Sequence, residues 1–255
     1  MISKLKIIFW FLKNKYYLHL CYMTIFYINK KINKKIKYYE TRSSHKAKLK
    51  CIKLKIEKEK LYVALSKIIG IKSHKVRKFT HRRNLLLKGN YKLGGGSDIQ
   101  LIYNLILMLK PNKILEFGVA NGWSTLSILE GCKKNNKGSL LSIDMPYFFK
   151  NAKFLIANLI KKKKIDNWKL IISPQINFLL KLNKEEYDFC HYDSDKTYQG
   201  RMLAYKKIWI ALRKGGILIS DDISDNLAFF NFTKTVKTKT YIVKYKNKFL
   251  GIAIK

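Results

Sequence analysis

Acidic residues are scarce in this chain: 16 Asp and Glu stand against 53 Lys and Arg in 255 residues, a formal charge of +37. Proline occurs three times and glycine 13 times, which leaves no room for a collagen-like repeat or Pro/Gly-rich disorder. With 47% hydrophobic residues the chain can build a core. The four cysteines, at 21, 51, 132 and 190, lack any CxxC or Cys/His ligand spacing. They are expected to be reduced, packed thiols of a cytoplasmic protein, with no disulfide framework and no structural zinc. Long apolar runs are missing too. Ile7–Leu12 is six residues long and closed by Lys13 and Lys15, which is short for a signal peptide. Tyr16–Ile28, at 13 residues, cannot cross about 30 Å of hydrocarbon, so no transmembrane helix is expected.

The positive charge is uneven. Residues 1–92 hold 26 basic and 3 acidic residues; residues 93–255 hold 27 and 13. Such a surplus could attract nucleic acid or an anionic membrane. Only six of the 53 are Arg, the side chain that grips phosphate and base edges bidentately, so nucleic acid is the less favoured partner. The abundance of Lys, Ile, Asn and Tyr throughout is that of an AT-rich coding sequence. Residues 1–40, basic and aromatic, could lie peripherally on an anionic membrane surface, with helices packed on the main domain as the competing reading. Ala47–Ile69 alternates apolar and charged residues as one helix ending at Gly70. Residues 1–92 carry no chemical motif. They are expected to form a basic helical extension that modulates location or acceptor access and does not build the cofactor site.

From Leu93 the pattern changes. After Gly94-Gly95-Gly96, Ser97-Asp98 can cap a helix that Pro111 stops. Strands are expected at Lys113–Phe117, Ser139–Ile143, Trp168–Ile172, Tyr187–Tyr192 and Gly216–Ser220, and a closing hairpin at Tyr241–Tyr245 and Phe249–Ile254. Helices are expected at Trp123–Leu129, Ala152–Lys162, Gln175–Leu182, Tyr198–Leu212 and Asn226–Val236. This alternation predicts an α/β, Rossmann-like domain over 93–255: a mainly parallel sheet covered on both faces, with an antiparallel closing hairpin. Ligands of such sheets bind at the carboxyl ends of the strands. Those ends carry Glu116, Asp144, Ser173, Asp193, Asp221 and Asp222, a concentration of acid in a chain that is short of it.

The first strand is followed by Gly118 and Gly122, which allow backbone to approach a ligand at the next helix. The spacing is GxxxG, without the GxGxxG of a dinucleotide site, and Glu116 would repel a pyrophosphate but attract an ammonium. Asp144 follows Gly122 by 22 residues, where an acid accepts ribose hydroxyls. An ammonium-bearing adenosine derivative meets both demands, and S-adenosylmethionine (SAM) is the obvious one. Asp193, Asp221 and Asp222 end strands about 4.8 Å apart, and three such carboxylates require protons or a cation, with Mg²⁺ suited to hard oxygen ligands.

The segment from Ile114 to Ser124 resembles motif I of the class I SAM-dependent methyltransferases. The blocks Tyr187–Tyr198 and Leu212–Ile223 are similar to later motifs of the subgroup that joins small-molecule and sugar O-methyltransferases with cephalosporin-hydroxylase-like proteins, related to the catechol O-methyltransferases. The resemblance implies that Glu116, Gly118, Gly122 and Ser124 hold the methionine part of SAM, Asp144 the ribose, and Ser173 and Gln175 the adenine. It places Asp193 beside the cofactor and makes Asp193, Asp221 and Asp222 metal ligands, Asp222 standing where relatives have Asn. Lys196, three residues beyond Asp193, falls where catechol-type enzymes carry a catalytic lysine, although many relatives have His there. The expected function is metal-assisted O-methylation of a small-molecule or sugar hydroxyl. The competing functions are a nucleic-acid methyltransferase with a basic arm and a non-catalytic, membrane-docked SAM-binding scaffold, and a homo-oligomer is open.

Overall fold

A computed structural model describes residues 4–70, 75–80, 96–145, 156–160 and 165–255. The helices are α1 (Lys4–Lys13), α2 (Tyr17–Ile32), α3 (Lys34–Thr41), α4 (Ser44–Leu54), α5 (Lys58–Ile69), α6 (Ile99–Leu109), α7 (Trp123–Asn135), α8 (Gln175–Leu179), α9 (Tyr198–Ala211) and α10 (Ala228–Thr235). The strands are β1 (Lys55–Ile56), β2 (Lys113–Phe117), β3 (Ser139–Asp144), β4 (Trp168–Ile172), β5 (Tyr187–Tyr192), β6 (Leu212–Ser220), β7 (Lys239–Tyr245) and β8 (Lys248–Ile254). They form one sheet in the order β1-β7-β8-β6-β5-β2-β3-β4, parallel except where β8 runs antiparallel to β6 and β7. The Rossmann-like α/β sheet with its closing hairpin is therefore present.

Period-two alternation sorts the strand residues between two cores. Leu115 and Phe117 of β2 join Cys190, Tyr192 and Leu218 under α9 and α10. Ile114 joins Phe189 and Ile217 under α5, α6 and α7. Glu116 shares the second face, and the register sets it between Ser142 and His191. That row decides the fate of its charge.

Several boundaries differ from the sequence reading. Ala47–Ile69 is two helices interrupted by β1, which pairs in parallel with β7. The interruption follows from packing: the register Lys55↔Ile242 and Ile56↔Val243 satisfies an otherwise open sheet edge. β6 begins at Leu212, four residues earlier than Gly216, and α8 stops at Leu179. Of the expected helix Ala152–Lys162, residues 156–160 form turns and the rest lies outside the described residues, as do Leu93, Gly94 and Gly95 and hence the 92/93 boundary. Asp98 caps α6 through Leu101 N–H at 3.1 Å, as its position suggested. Cys21 is exposed whereas the other three cysteines are buried, which corrects the expectation of four packed thiols.

The amino-terminal helices are bolted to the start of α9. The first-turn amides of Tyr198 and Gln199 donate to Glu40 at 3.0 and 2.9 Å, and that of Gly200 to Thr197 Oγ1 at 3.1 Å. With Thr197 N–H on Asp195 Oδ1 at 2.8 Å, all four unpaired amides of the helix start are satisfied. Tyr39 stacks on Tyr198 at 4.5 Å, and the Asn29 amide donates to Gln199 Oε1 at 2.7 Å. Glu40→Ala should lower the unfolding free energy by about 1–2 kcal/mol through loss of this distant cap, with Glu40→Gln falling between. Urea denaturation checks this, and an unchanged midpoint for Glu40→Ala would contradict the clamp.

Candidate functional site

β2 ends in a turn that only glycine tolerates at two positions. Gly118 has φ +90°, and a Cβ there would lie 2.0 Å from the Asp193 carbonyl oxygen. The carboxyl ends of β2 and β5 are thus in backbone contact at the point where the strand order reverses. Gly122 (φ +93°) precedes α7, and a Cβ would meet Ile160 Cδ1 at 3.0 Å. A cavity of about 650 Å³ opens against this turn, bordered by Gly118, Ser124, Asp144, Gln175 and Asp193. That volume suits a small ligand.

Asp144 stands at the cavity wall with its carboxylate already partly used. Oδ2 accepts from Val119 and Ala120 N–H at 3.0 and 2.7 Å, and Oδ1 from Met145 N–H at 2.7 Å. Burial raises its pKa to about 6 despite these amides. An acid whose pKa rises on folding stabilises the fold most below the unfolded value near 4, and that contribution is lost as pH climbs through about 6.

Glu116 is not where the sequence reading put it. It is fully buried beneath the turn and accepts from Ser124 Oγ (2.6 Å), Thr125 Oγ1 (2.7 Å) and Ser142 Oγ (2.7 Å). His191 Nδ1 lies 3.8 Å away. Three hydroxyls replace the solvent this charge has lost, so it anchors the turn from below and does not border the cavity. Ser124 is shared between both roles, touching the cavity while bonded to Glu116. Ser173 also departs from expectation: its hydroxyl accepts from Asn177 Nδ2 at 3.3 Å, and it does not line the cavity. Gln175 does line it. Its Oε1 accepts from Tyr192 OH at 3.3 Å, while its buried Nε2 has no partner. A buried donor left open beside a cavity is fitted to a ligand.

The three acidic strand ends do come together. One carboxylate oxygen from each of Asp193, Asp221 and Asp222 lies within 4.8 Å of the others. Lys196 reaches into the group, bonded to Asp193 Oδ1 and 3.0 Å from Asp222 Oδ2, and Lys248 approaches Asp222 at 3.1 Å. Burial would raise the Asp222 carboxyl, yet the two ammonium groups hold it below its ordinary value. Asp221 has no ammonium bonded to it: burial and neighbouring Asp193 push it to about 6 against the pull of His191 and Lys196, and its buried Oδ2 is unpartnered. For Lys196, burial favours the neutral amine, but Asp193 and Asp222 outweigh it and keep the ammonium protonated above the usual lysine value. The expectation of a ready neutral base is corrected to that extent.

Two contributors were missed in the sequence. Arg201 is fully buried and donates to the carbonyls of Asp222 (2.8 Å) and Asp221 (3.3 Å), holding the turn where Asp222 has φ +52°. As one of six Arg in a chain that otherwise uses Lys, it was marked by its rarity. The second is the amino-terminal wall. Ile7 and Phe11 of α1 and Met23 and Phe26 of α2 line the same cavity as Gly118 and Asp144, and Tyr22 OH donates to Asp195 at 2.8 Å. Helices α1 and α2 therefore do not stand apart from the cavity, whereas the expectation was that the amino-terminal extension would not build the site. The isolated acid Glu40, alone among the first 56 residues, was the available signal.

Known proteins share this geometry at the level of the fold. A family described as a methyltransferase domain matches residues 115–223. Among solved structures, an O-methyltransferase from Bacillus cereus in complex with SAH (S-adenosylhomocysteine) shares the fold at TM-score 0.50 and 12% identity, covering 86% of this chain and 100% of its own. A Podospora anserina methyltransferase with SAH bound matches at TM-score 0.50 and 19% identity over 62% and 77% of the two chains. A Klebsiella pneumoniae protein solved as a candidate O-methyltransferase matches at TM-score 0.52 and 14% identity over 68% and 93%. No curated protein matches the sequence. Residues 115–223 thus match a methyltransferase-domain family, and the chain has the fold of these methyltransferase structures.

Arg201→Ala should destabilise the protein by about 3–5 kcal/mol, because it leaves buried carbonyls, and Asp225, whose Oδ2 lies 3.4 Å from the guanidinium, without their cation. Chemical denaturation measures this. A loss under about 1 kcal/mol would mean that the carboxylate turn holds itself.

Proposed function

We propose that this protein transfers the methyl group of SAM to a hydroxyl oxygen of a small molecule or sugar, with a divalent cation, Mg²⁺ by ligand hardness, held by Asp193, Asp221 and Asp222. One observation carries the reading: Asp193 belongs both to the cavity and to the carboxylate cluster, so cofactor and acceptor would be neighbours. The open Gln175 Nε2 and Asp221 Oδ2 fit the two absent groups, a donor for the adenine and an anionic ligand for the cation. The names of the Bacillus and Klebsiella structures support oxygen as the methyl acceptor.

When bound, SAM supplies a methyl group activated on sulfur and the cation supplies a Lewis acid. The chain itself contributes placement. Gly118 admits the ligand to the turn, Gly122, which does not border the cavity, clears Ile160 behind it, and Ser124, backed by Glu116, faces the methionine part. Asp144 accepts ribose hydroxyls with the lone pairs its three amides leave. Lys196 governs the acceptor's proton. While Asp193 and Asp222 both sit on it the ammonium keeps its proton, and when they are engaged elsewhere its burial makes the neutral amine accessible.

A second reading rests on the two lysines. Lys196 and Lys248 already offset much of the cluster's charge, so transfer could proceed by proximity without a metal. Methyl-labelled SAM incubated with the full chain and a small-molecule extract separates these. Under the metal-assisted reading, label incorporation falls with EDTA and returns with Mg²⁺ or Mn²⁺, and Asp221→Ala abolishes that return. Full incorporation in chelator supports the lysine-only reading, and SAH binding with no labelled product supports a non-catalytic scaffold.

Two further outcomes are expected. Lys196→Ala should leave SAH affinity unchanged and cut turnover by roughly 10²–10⁴, with Lys196→Arg failing to rescue, since guanidinium does not deprotonate near neutral pH. Wild-type turnover in Lys196→Arg would remove Lys196 from the proton's path. For Asp144, the ionised carboxylate is the better ribose acceptor, so SAH affinity should rise with pH and level off above about 6. Calorimetry at pH 5 and 7 should differ by about tenfold, and Asp144→Asn should flatten the profile.

A further inference from the structure

Helices α1 and α2 use one side for the cavity and α9 and leave another side uncovered. On α2 the buried or bonded positions are His19, Tyr22 and Asn29. Leu18, Cys21, Ile25, Ile28 and Ile32 recur at spacings of three and four along a different stripe, and all are exposed. That spacing puts them on one face of a 16-residue helix about 24 Å long. Phe9 and Leu12 extend the apolar surface on α1. Exposures of 68% for Phe9 and 76% for Ile32 are those of side chains with nothing packed on them.

What covers this face is decided by charge. Lys13, Lys15, Lys30, Lys31, Lys34, Lys35 and Lys37 are exposed on or beside the two helices, and the first acid in the chain is Glu40. A second copy of the chain would bring the same lysines against these and be repelled. An anionic surface would be attracted by each of them, while long lysine stems allow the ammonium groups to reach phosphate as the apolar stripe sinks between headgroups. No described helix is long and apolar enough to cross a membrane, so the arrangement is that of helices lying along the interface.

We infer that the outer face of α1 and α2, centred on Leu18, Ile25, Ile28 and Ile32, docks the protein on an anionic lipid bilayer. This holds whether or not the site transfers methyl groups, because none of these stripe residues borders the cavity. Docking also sets the amino-terminal wall of the cavity beside the lipid headgroups, since the two faces belong to the same helices.

Vesicle co-sedimentation of the full chain tests this directly. Vesicles of phosphatidylcholine with about 30 mol% phosphatidylglycerol should bind at least tenfold more tightly than phosphatidylcholine alone, and binding should weaken steeply as salt is raised. Ile25→Asp with Ile28→Asp should reduce that binding by at least tenfold, with SAH affinity retained as proof of folding. Lys34→Glu with Lys35→Glu, which touches no apolar residue, should weaken binding severalfold by charge alone. Equal binding to neutral and anionic vesicles would overturn the proposal. So would a dimer in light scattering that Ile25→Asp dissolves, which would give the face to a second copy of the chain.

Discussion

Negative charge taken out of water needs a partner, and along the carboxyl rim of this sheet each acid finds a different one. Glu116 is met by three hydroxyls, Asp144 by three backbone amides, and Asp222 by two ammonium groups. The differences set what each acid can do. A carboxylate surrounded by hydroxyls under a turn is structural. One held by amides at a cavity wall keeps lone pairs for a ligand. Asp221, with no ammonium bonded to it, keeps an open buried oxygen and is pushed to about 6. The chemistry of the site follows from this unequal distribution of partners.

The same constraint explains why elements distant in sequence are interdependent. Arg201 lies on α9, yet it bonds the carbonyls of the turn after β6. The start of α9 is in turn capped by Glu40 from the amino-terminal helices. A continuous series of charge-assisted bonds therefore runs from α3 through α9 to the carboxylate cluster. The aromatic contact of Tyr39 with Tyr198 lies alongside it. The amino-terminal helices also line the cavity itself, so an element without any chemical motif shapes the space in which the chemistry occurs.

Backbone approach supplies the remaining part. The contact of Gly118 with the Asp193 carbonyl brings the ends of β2 and β5 together, and with them the glycine turn and the first carboxylate of the cluster. A side chain at 118 would separate these, which ties the glycine turn and the carboxylate cluster to one backbone contact.

Much of this was legible in the amino-acid order. Alternating strand and helix patterns, the GxxxG turn and the acids at strand ends are local signals, and local signals suffice for a parallel sheet with a rim of function. Asp193, Asp221 and Asp222 were recognisable because acid is rare here and strand ends are where ligands bind. The direction in which a charge faces was not legible. Glu116 sits at the right position in the motif, but the register beside Ser142 and His191, together with the hydroxyls of α7, turns it beneath the turn. Ser173 was assigned by its position after a strand, while its hydroxyl is engaged by Asn177. β1 was hidden inside a helical pattern because a two-residue strand exists only by virtue of its partner β7. Glu40 and Arg201 carried a compositional mark, rarity, but their partners lie 158 and about 20 residues away. Periodicity and motif are written along the chain; the pairing of buried charges is settled only when remote segments meet, because the energy of a desolvated charge depends on what surrounds it in space.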